Sequence, residues 1–490
     1  MATATPPPPM LPQTPLPEDS PDVALAVDLD GTLVRTDTLH ENLLVLFKRA
    51  PWLLLLAPLW VLKGKAFFKQ EVARRASLDA TSLPYHDELL AFLHEEKARG
   101  RRLVLATAAD RRIADAVAAH LGLFSDVVAS EAGVNLSGAR KLAKLKALLG
   151  TFDYAGNDTV DLPLWRECRR VLVVHAPAGV LKQAQGLGRD VHRVFERPRT
   201  SPRVWVKALR VHQWAKNALV FVPLLAAHKA ADSALLLQAL LGFAAFSLCA
   251  SSVYVLNDLL DLDSDRRHPT KKKRPFAACT LPVRTGVVLA PLLLLAGAAV
   301  CLLLPPAFAG LLGAYYVLTL AYSLRLKQVV MLDVLVLAGL YTVRIFGGAL
   351  AVDVPTSSWL MMFSMFIFLS LALVKRLSEV RRLRLANETS AHGRGYLAQD
   401  YEQLASLGAA AGQVSVLVLA LYITSNEVTA LYAHPERLWL ICPVMLYWVG
   451  RVWLLAHRGQ VNEDPLVFAL RDRVSYAVGL VCALVLWAAT

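Results

Sequence analysis

From residue 213 to the C-terminus the sequence is written in apolar runs of membrane-crossing length, and a soluble fold has no interior large enough for them. A helix needs about 20 apolar residues to cross a bilayer. Inside the hydrocarbon every backbone polar group must be satisfied within the segment, so the spans must be helices. Nine runs qualify: 213–229, 234–256, 283–303, 306–322, 329–351, 358–374, 407–425, 436–455 and 474–490. Residues 1–212 read as soluble, which gives a two-part chain. The stretch PWLLLLAPLWVL (51–62) is too short to cross and lies between basic flanks, so it is expected as a buried or interfacial helix.

The loops set an expected orientation. Those after the second, fourth, sixth and eighth runs carry the clustered Lys and Arg residues, from Arg266 to Arg284, at Arg325 and Lys327, from Lys375 to Arg394, and from Arg451 to Arg473. The opposite loops hold Lys229 and Arg437. Positive loops stay cytoplasmic, which places the soluble part and the active sites in the cytoplasm and the C-terminus outside. A net charge of +13 then points to anionic lipid or phosphorylated substrates. With no basic patch interleaved with aromatics, nucleic acid is not expected as a partner. The six cysteines are scattered without a C-x-x-C pair, which argues against zinc and against a disulfide framework. The Pro-rich start, residues 1–21, is expected to be a disordered tail.

Just after the second run comes VLNDLLDLDSDRRHP (255–269), with four aspartates at 258, 261, 263 and 265. On a single helix Asn257, Asp258, Asp261 and Asp265 fall within an arc of about 100°, and Asp263 points away. Hard oxygen ligands at the mouth of a bundle suit Mg²⁺ shared with a substrate's phosphates. Arg274, in the basic HPTKKKRP stretch, is the cation to single out there. Two runs later Tyr322, Lys327, Asp333 and Arg344 form a second group, with Asp333 and Arg344 on one helix face inside an apolar run. Intramembrane ionisable groups are functional by default; a structural Asp–Arg link between helices is the alternative. Lys375 and Arg376 close the sixth run, as phosphate ligands or as snorkelling cations.

The N-D-x-x-D-x-x-x-D pattern at 257–265, the Y-x-x-x-x-K at 322–327 with Asp333, and the string of spans resemble the UbiA superfamily of intramembrane prenyltransferases. LRVHQWAKNALVFVPLL (209–225), which contains Lys216, together with HPTKKKRPFAA, YSLRLK and Arg344–Gly347–Gly348, resembles its polyprenyl-phosphate phosphoribosyltransferase branch. The resemblance covers 203–490, although a further aspartate-rich motif usual in the second half is here reduced to Asp333. It implies that Mg²⁺ on Asn257, Asp258, Asp261 and Asp265 holds the diphosphate of phosphoribosyl pyrophosphate. A polyprenyl phosphate then attacks the anomeric carbon. Lys216, Arg274, Tyr322, Lys327, Asp333, Arg344, Lys375 and Arg376 are the candidate substrate-binding residues.

The soluble part has its own pattern. VALAVDLDGTLVRTDT begins with an apolar run, 23–27, expected as a buried parallel strand that ends in Asp28 and Asp30. Carboxylates at the carboxyl end of such a strand lie where α/β ligand sites form. Two acids one residue apart can divide the work of nucleophile and general acid/base. RRLVLATAAD ends in a strand with Thr107, NLSGARKLAKLK offers Lys141 or Lys144, and DYAGNDTVDLPLW offers Asn157, Asp158 and Asp161. This order resembles the haloacid dehalogenase superfamily over about 22–195. The resemblance implies Asp28 as nucleophile, Asp30 as acid/base, Thr107 and Lys141 on the phosphoryl oxygens, and Mg²⁺ on Asp28 with Asp158 or Asp161. Asn157 stands where an acid is common. Residues 40–95, containing the apolar 51–62 run, form the expected cap, whose greasy face serves either a membrane-resident substrate or packing against the bundle.

The expected architecture is thus an α/β Rossmannoid domain (22–195), a linker (196–212) and an all-α membrane bundle of about nine helices (213–490). The expected function is sequential. Transfer of 5-phosphoribose to polyprenyl phosphate is followed by removal of the 5-phosphate, leaving a polyprenyl-phosphoryl-ribose that serves as a cell-wall arabinan precursor. The alternatives are prenyl transfer to an aromatic acceptor, and a regulatory, non-catalytic N-terminal part. Prenyl chain length and oligomeric state stay open.

Overall fold

The computed structural model describes residues 23–490 apart from 77, 132, 198–199, 388, 390–394, 462–464 and 470. The Pro-rich start and Arg394 of the basic loops therefore lie outside the described residues. The chain divides into two compact units. The first runs to Trp205 and also takes in Asp258–Gly286; the second comprises Val206–Asn257 and Val287–Thr490. The first of these boundaries falls within the segment expected as a linker, 196–212, whereas the acidic loop belongs to the α/β unit.

The first unit is built on a six-stranded parallel sheet: β1 (Ala24–Val27), β2 (Leu103–Asp110), β3 (Asp126–Ser130), β4 (Phe152–Gly156), β5 (Arg170–Val174) and β6 (Asp190–Phe195), in the order β3-β2-β1-β4-β5-β6. Side chains alternate across a strand. Leu25, Val27, Leu103 and Leu105 therefore enter one core, while Ala26, Val104, Ala106 and Tyr154 enter the other. Both faces being covered explains why β1 reads as a continuous apolar run. The order reverses at β1, so β1 and β4 form the switch point where α/β proteins place ligands. Helices α1 (Thr38–Arg49), α2 (Ala57–Leu62) and α3 (Lys65–Arg75) make the cap, which has its own small core around Leu46, Trp60, Val72 and Ala76. Helix α4 (Asp87–Ala98) and α5 (Arg111–Leu121) cover one sheet face, and α6 (Ala139–Leu149) lies on the other.

Among the described residues seven helices are long and apolar enough to cross a membrane, built mainly from the second unit: Ser233–Leu260, Val283–Cys301, Pro306–Leu324, Leu332–Ala351, Ser358–Leu385, Ala398–Ile423 and Pro435–His457. The chain is an integral membrane protein. Nine spans were expected, and the two others differ. Val211–Phe221 is a 3-10 segment followed by a short helix, Val222–Ala226, that carries Pro223 in its first turn. It packs against Leu332–Ala351 at a point where only glycine fits: a Cβ on Gly348 would stand 2.1 Å from the Val220 carbonyl oxygen. The last run is a helix of 17 residues, Arg473–Ala489, about 25 Å long at 1.5 Å per residue, short of the roughly 30 Å hydrocarbon core. Lys375 and Arg376, expected at the end of the sixth run, instead lie within the 28-residue Ser358–Leu385 helix, which continues through good helix formers with neither Gly nor Pro to stop it.

Two predictions follow from packing and charge. Gly348→Ala drives a methyl into a backbone carbonyl and lowers the thermal midpoint of the solubilised chain. Gly310→Ala meets nothing within 4 Å and leaves the midpoint unchanged or slightly raised. Equal midpoints for the two variants would contradict the close crossing. In the α/β unit His86 and His175 face each other with Nε2 atoms 2.7 Å apart. His86 Nδ1 accepts from the Leu89 amide, so its Nε2 carries the proton donated to His175. Burial and the facing imidazole push His175 down to about 4, and burial also lowers His86. A depressed folded-state value means stability that is complete above about 6.5 and lost as pH falls toward 4. The thermal midpoint should drop between pH 7 and pH 5, and His175→Asn, which tolerates the positive φ of 50° there, should flatten that drop. An unchanged pH slope in the variant refutes the coupling.

Candidate active sites

In the α/β unit the chain leaves β1 into a tight loop. The Asp28 amide continues the pairing with β4 through the Ala155 carbonyl at 3.0 Å, and the Leu33 amide returns to the Asp28 carbonyl at 3.1 Å. Gly31 sits at φ +78°, and a Cβ there would be 2.1 Å from the Asn157 amide nitrogen, so the loop after β4 closes directly on the loop after β1. Asp28 is buried and accepts from Lys141 Nζ at 2.8 Å. Lys141 itself is 3% exposed and also donates to the Tyr154 hydroxyl at 2.9 Å, which donates in turn to Asp161. Lys144 is exposed on the same helix. Asp30 accepts from the Thr38 amide at 2.8 Å, at the N-terminus of α1, where the helix dipole favours negative charge. Thr107 is fully buried within β2, which runs three residues past it, with its Oγ1 accepting from the Ala109 amide.

Burial, only partly offset by Lys141, pushes Asp28 up to about 7, and burial with the nearby Asp37 pushes Asp30 up to about 6. The site thus holds more carboxylate than its own cations neutralise, and the donors are hard oxygens. That is the chemistry of a Mg²⁺ site, so the residues fit the ion. Asp28 and Asp161 are the buried acids on Lys141, at 2.8 and 3.9 Å. Asp161 also accepts from the amides of Asn157 and Asp158. Asp158 is exposed and caps the turn at Thr159, so it is not brought to Asp28. Asp30 opens into a cavity of about 230 Å³ whose lining includes Asp37, His40, Asn42, Lys65 and Lys69. Lys69, Nζ on the Ala108 carbonyl at 2.7 Å, was missed from sequence, as were Lys65 and Tyr154. The i, i+4 spacing of the two lysines on a cap helix was the available signal.

The acidic loop is not one helix. Ser233–Leu260 ends, Asp261 stands at the break, and Leu262–Arg267 follows. The single-helix arc from Asn257 to Asp265 therefore does not exist; the carboxylates are instead brought together by tertiary contacts. Arg274 bridges Asp258 at 3.2 Å and Asp265 at 2.6 Å, both buried. Asp261 pairs with Lys48 of the cap at 3.0 Å, and Asp263 is exposed and pairs with Arg267. Arg266 makes a two-pronged pair with Glu41 of α1, and Arg267 reaches Asp79. Among the described residues no three His, Cys, Asp or Glu side chains are gathered to hold a metal. Mg²⁺ commonly takes one or two protein carboxylates plus phosphate and water, and the pair that now converges on the Arg274 guanidinium fits that demand.

In the membrane unit Asp333 and Arg344, expected together on one helix face, belong to separate networks. Asp333 is fully buried and pairs with Arg376, which also donates to Glu379 at 2.7 Å and to the Tyr322 hydroxyl at 3.0 Å; Tyr396 donates to the other Asp333 oxygen. Arg344 donates to Asn217 and Tyr315 at 2.7 Å each, and to the Leu340 carbonyl. Lys216 lies 5.5 Å from the centre of the Tyr341 ring, which Arg344 also approaches at 5.8 Å, so two buried cations share one aromatic ring. Lys327 and Lys375 are half-buried.

Known proteins align with both parts. Residues 25–165 match the haloacid dehalogenase-like hydrolases, and residues 218–471 match the UbiA prenyltransferase family. An uncharacterized protein of Sinorhizobium fredii, y4nM, is 37% identical over 462 residues, 94% of this chain and 89% of that protein. The nodulation protein NoeC of Azorhizobium caulinodans is 36% identical over 285 residues, 57% of this chain and 90% of its own length. The decaprenyl-phosphate phosphoribosyltransferase of Mycolicibacterium smegmatis is 36% identical over 192 residues, 38% of this chain and 59% of its own length. With over half of its length matched, the chain belongs to the UbiA prenyltransferase family and carries a haloacid dehalogenase-like domain ahead of the membrane part.

Proposed function

We propose that the protein transfers 5-phosphoribose from phosphoribosyl pyrophosphate to a membrane polyprenyl phosphate, and that its α/β unit then removes the 5-phosphate. The observation that carries this reading is the pairing, on one chain, of a buried Asp28–Lys141 pair in a haloacid dehalogenase-like domain with a membrane part similar to a decaprenyl-phosphate phosphoribosyltransferase. In the acidic loop, Asp258 and Asp265 present converging oxygens, and Asn257 and Asp261 stand beside them in sequence. Mg²⁺ bound there supplies charge neutralisation for a leaving diphosphate. Arg274 holds the acids in register and meets the same anion. The lipid phosphate oxygen attacks the ribose anomeric carbon and the diphosphate departs. Lys216 and Arg344 are the buried cations suited to a phosphate group, Arg344 with a planar fork. Lys327 and Lys375 are assigned the outer phosphate, and Tyr322, Asp333 and Arg376 position the helices that carry them.

In the α/β unit the Asp28 carboxylate attacks phosphorus while Asp30 protonates the departing ribose oxygen. Asp30 then takes a proton from the water that hydrolyses the aspartyl-phosphate. Lys141 and Thr107 hold the phosphoryl oxygens. Asp28 and Asp161 would hold Mg²⁺, whose positive charge would keep Asp28 ionised against the burial that pushes it up to about 7. The product is a polyprenyl-phosphoryl-ribose, of the kind from which arabinan precursors of cell walls are drawn. Joining both steps on one chain gives an effective concentration of about millimolar and draws the reversible transfer forward.

Asp258→Ala or Asp265→Ala should cut lipid labelling from radiolabelled phosphoribosyl pyrophosphate by about 100-fold or more, whereas Asp263→Ala, an exposed residue paired with Arg267, should keep most of it. Full labelling in the first two variants would remove the metal–diphosphate assignment. Asp28→Asn separates the halves. It preserves side-chain size but abolishes the nucleophile, so lipid carrying a 5-phosphorylated ribose should accumulate. A lipid mass spectrum differing from wild type by one phosphate supports the two-step reading. Identical spectra, with ribose absent and an aromatic acceptor consumed, favour prenyl transfer instead.

A further inference from the structure

We propose that the cap carries a membrane-surface anchor, Pro51–Leu62, which lies in the headgroup region of an anionic bilayer and brings the α/β site to lipid-borne phosphate. The segment is a 3-10 turn, Pro51–Leu56, running into α2. One face belongs to the protein: Leu53, Leu54 and Ala57 pack around buried Trp60 with Leu46, Val72 and Phe67. Among the described residues nothing covers the other face. Trp52 is 65% exposed, Leu55 79%, Leu59 56% and Leu62 83%. Large apolar side chains held outward while their neighbours fill a core are not a frayed loop; they form a built apolar surface.

Charge decides what covers it. Between Glu41 and Glu71 the chain has no acidic residue; Lys48 is paired with Asp261 and Lys69 turns into the cavity, and exposed Arg49, Lys63 and Lys65 bracket the apolar segment. A cationic collar around a short apolar face, with a tryptophan at its edge, matches an anionic phospholipid surface. A helical segment of this length reaches about 20 Å, too short to cross, so it lies in the plane of the interface. The seven spanning helices keep a bilayer beside the chain at all times. The same cap leads to the active site. Helix α3 begins at Lys65, just beyond the apolar segment, and lines the 230 Å³ cavity beside Asp30 with Lys65, Lys69, Val72 and Ala73. That the anchored cap delivers a lipid-linked phosphate rests on the two-step reading above; the anchor itself does not.

The test uses the full chain reconstituted in vesicles of phosphatidylcholine and phosphatidylglycerol in equal parts. A photoreactive benzoylphenylalanine is placed singly at Leu55, at Leu59 or, as reference, at Leu148, which is exposed on α6. Hydrolysis of a water-soluble phosphomonoester checks folding of each variant. Where no protein hydrolyses it, the phosphatase reading fails while the cross-link still reports on the anchor. Phospholipid adducts at Leu55 and Leu59 about tenfold above Leu148, falling severalfold in pure phosphatidylcholine, are the expected result. Adducts to a second copy or to another part of this chain, or lipid adducts no greater than at Leu148, overturn the proposal. Equal yields in pure phosphatidylcholine overturn its anionic character.

Discussion

A carboxylate taken out of water must be given a counter-charge or a proton, and that demand organises both units. Asp28 has Lys141, Asp153 has Arg101 and Arg169, Glu41 has Arg266, Asp258 and Asp265 share Arg274, and Asp333 has Arg376. Such pairs add little net stability compared with well-packed apolar side chains, but removing one partner costs about 3–5 kcal/mol because the other is left buried and charged. Their effect is therefore on specificity. They leave one arrangement of loops and helices acceptable, and the phosphate chemistry uses the arrangement they enforce.

The site around Asp28 satisfies this demand incompletely. Around Asp28 the acids outnumber the cations that reach them, and the excess appears as carboxyls raised toward neutrality. Around Asp333, by contrast, both carboxylate oxygens are engaged by Arg376 and Tyr396. A site with unsatisfied negative charge is poised for a metal ion and its phosphate, whereas a closed network serves to hold helices.

What was legible in the sequence was local. The Asp28–Asp30 pair could be read because a continuous apolar run, expected as a buried strand, ends in it, and the haloacid dehalogenase resemblance ranked Lys141 above Lys144. The arc from Asn257 to Asp265 misled because it assumed one uninterrupted helix, and the break at Asp261 depends on contacts such as Lys48, 213 residues away. Hydropathy likewise counted 213–229 as a span, although Lys216 and Asn217 within it are buried polar groups committed to the Leu332–Ala351 helix through Tyr341 and Arg344. Helix formation is a matter of neighbours in sequence, while the pairing of buried charge is settled by neighbours in space.

Helix α1 spans both chemistries. Its first amide, at Thr38, holds Asp30, Glu41 grips Arg266, and Lys48 near its last turn holds Asp261. The acidic loop is made after the α/β unit has left the ribosome, so it meets a surface that is already folded. Moving that loop to the far side of a bilayer would mean breaking the three ion pairs that clasp it to the globule. The pairs therefore bias the loop toward the side on which the α/β unit folds, in addition to the bias from its own lysines.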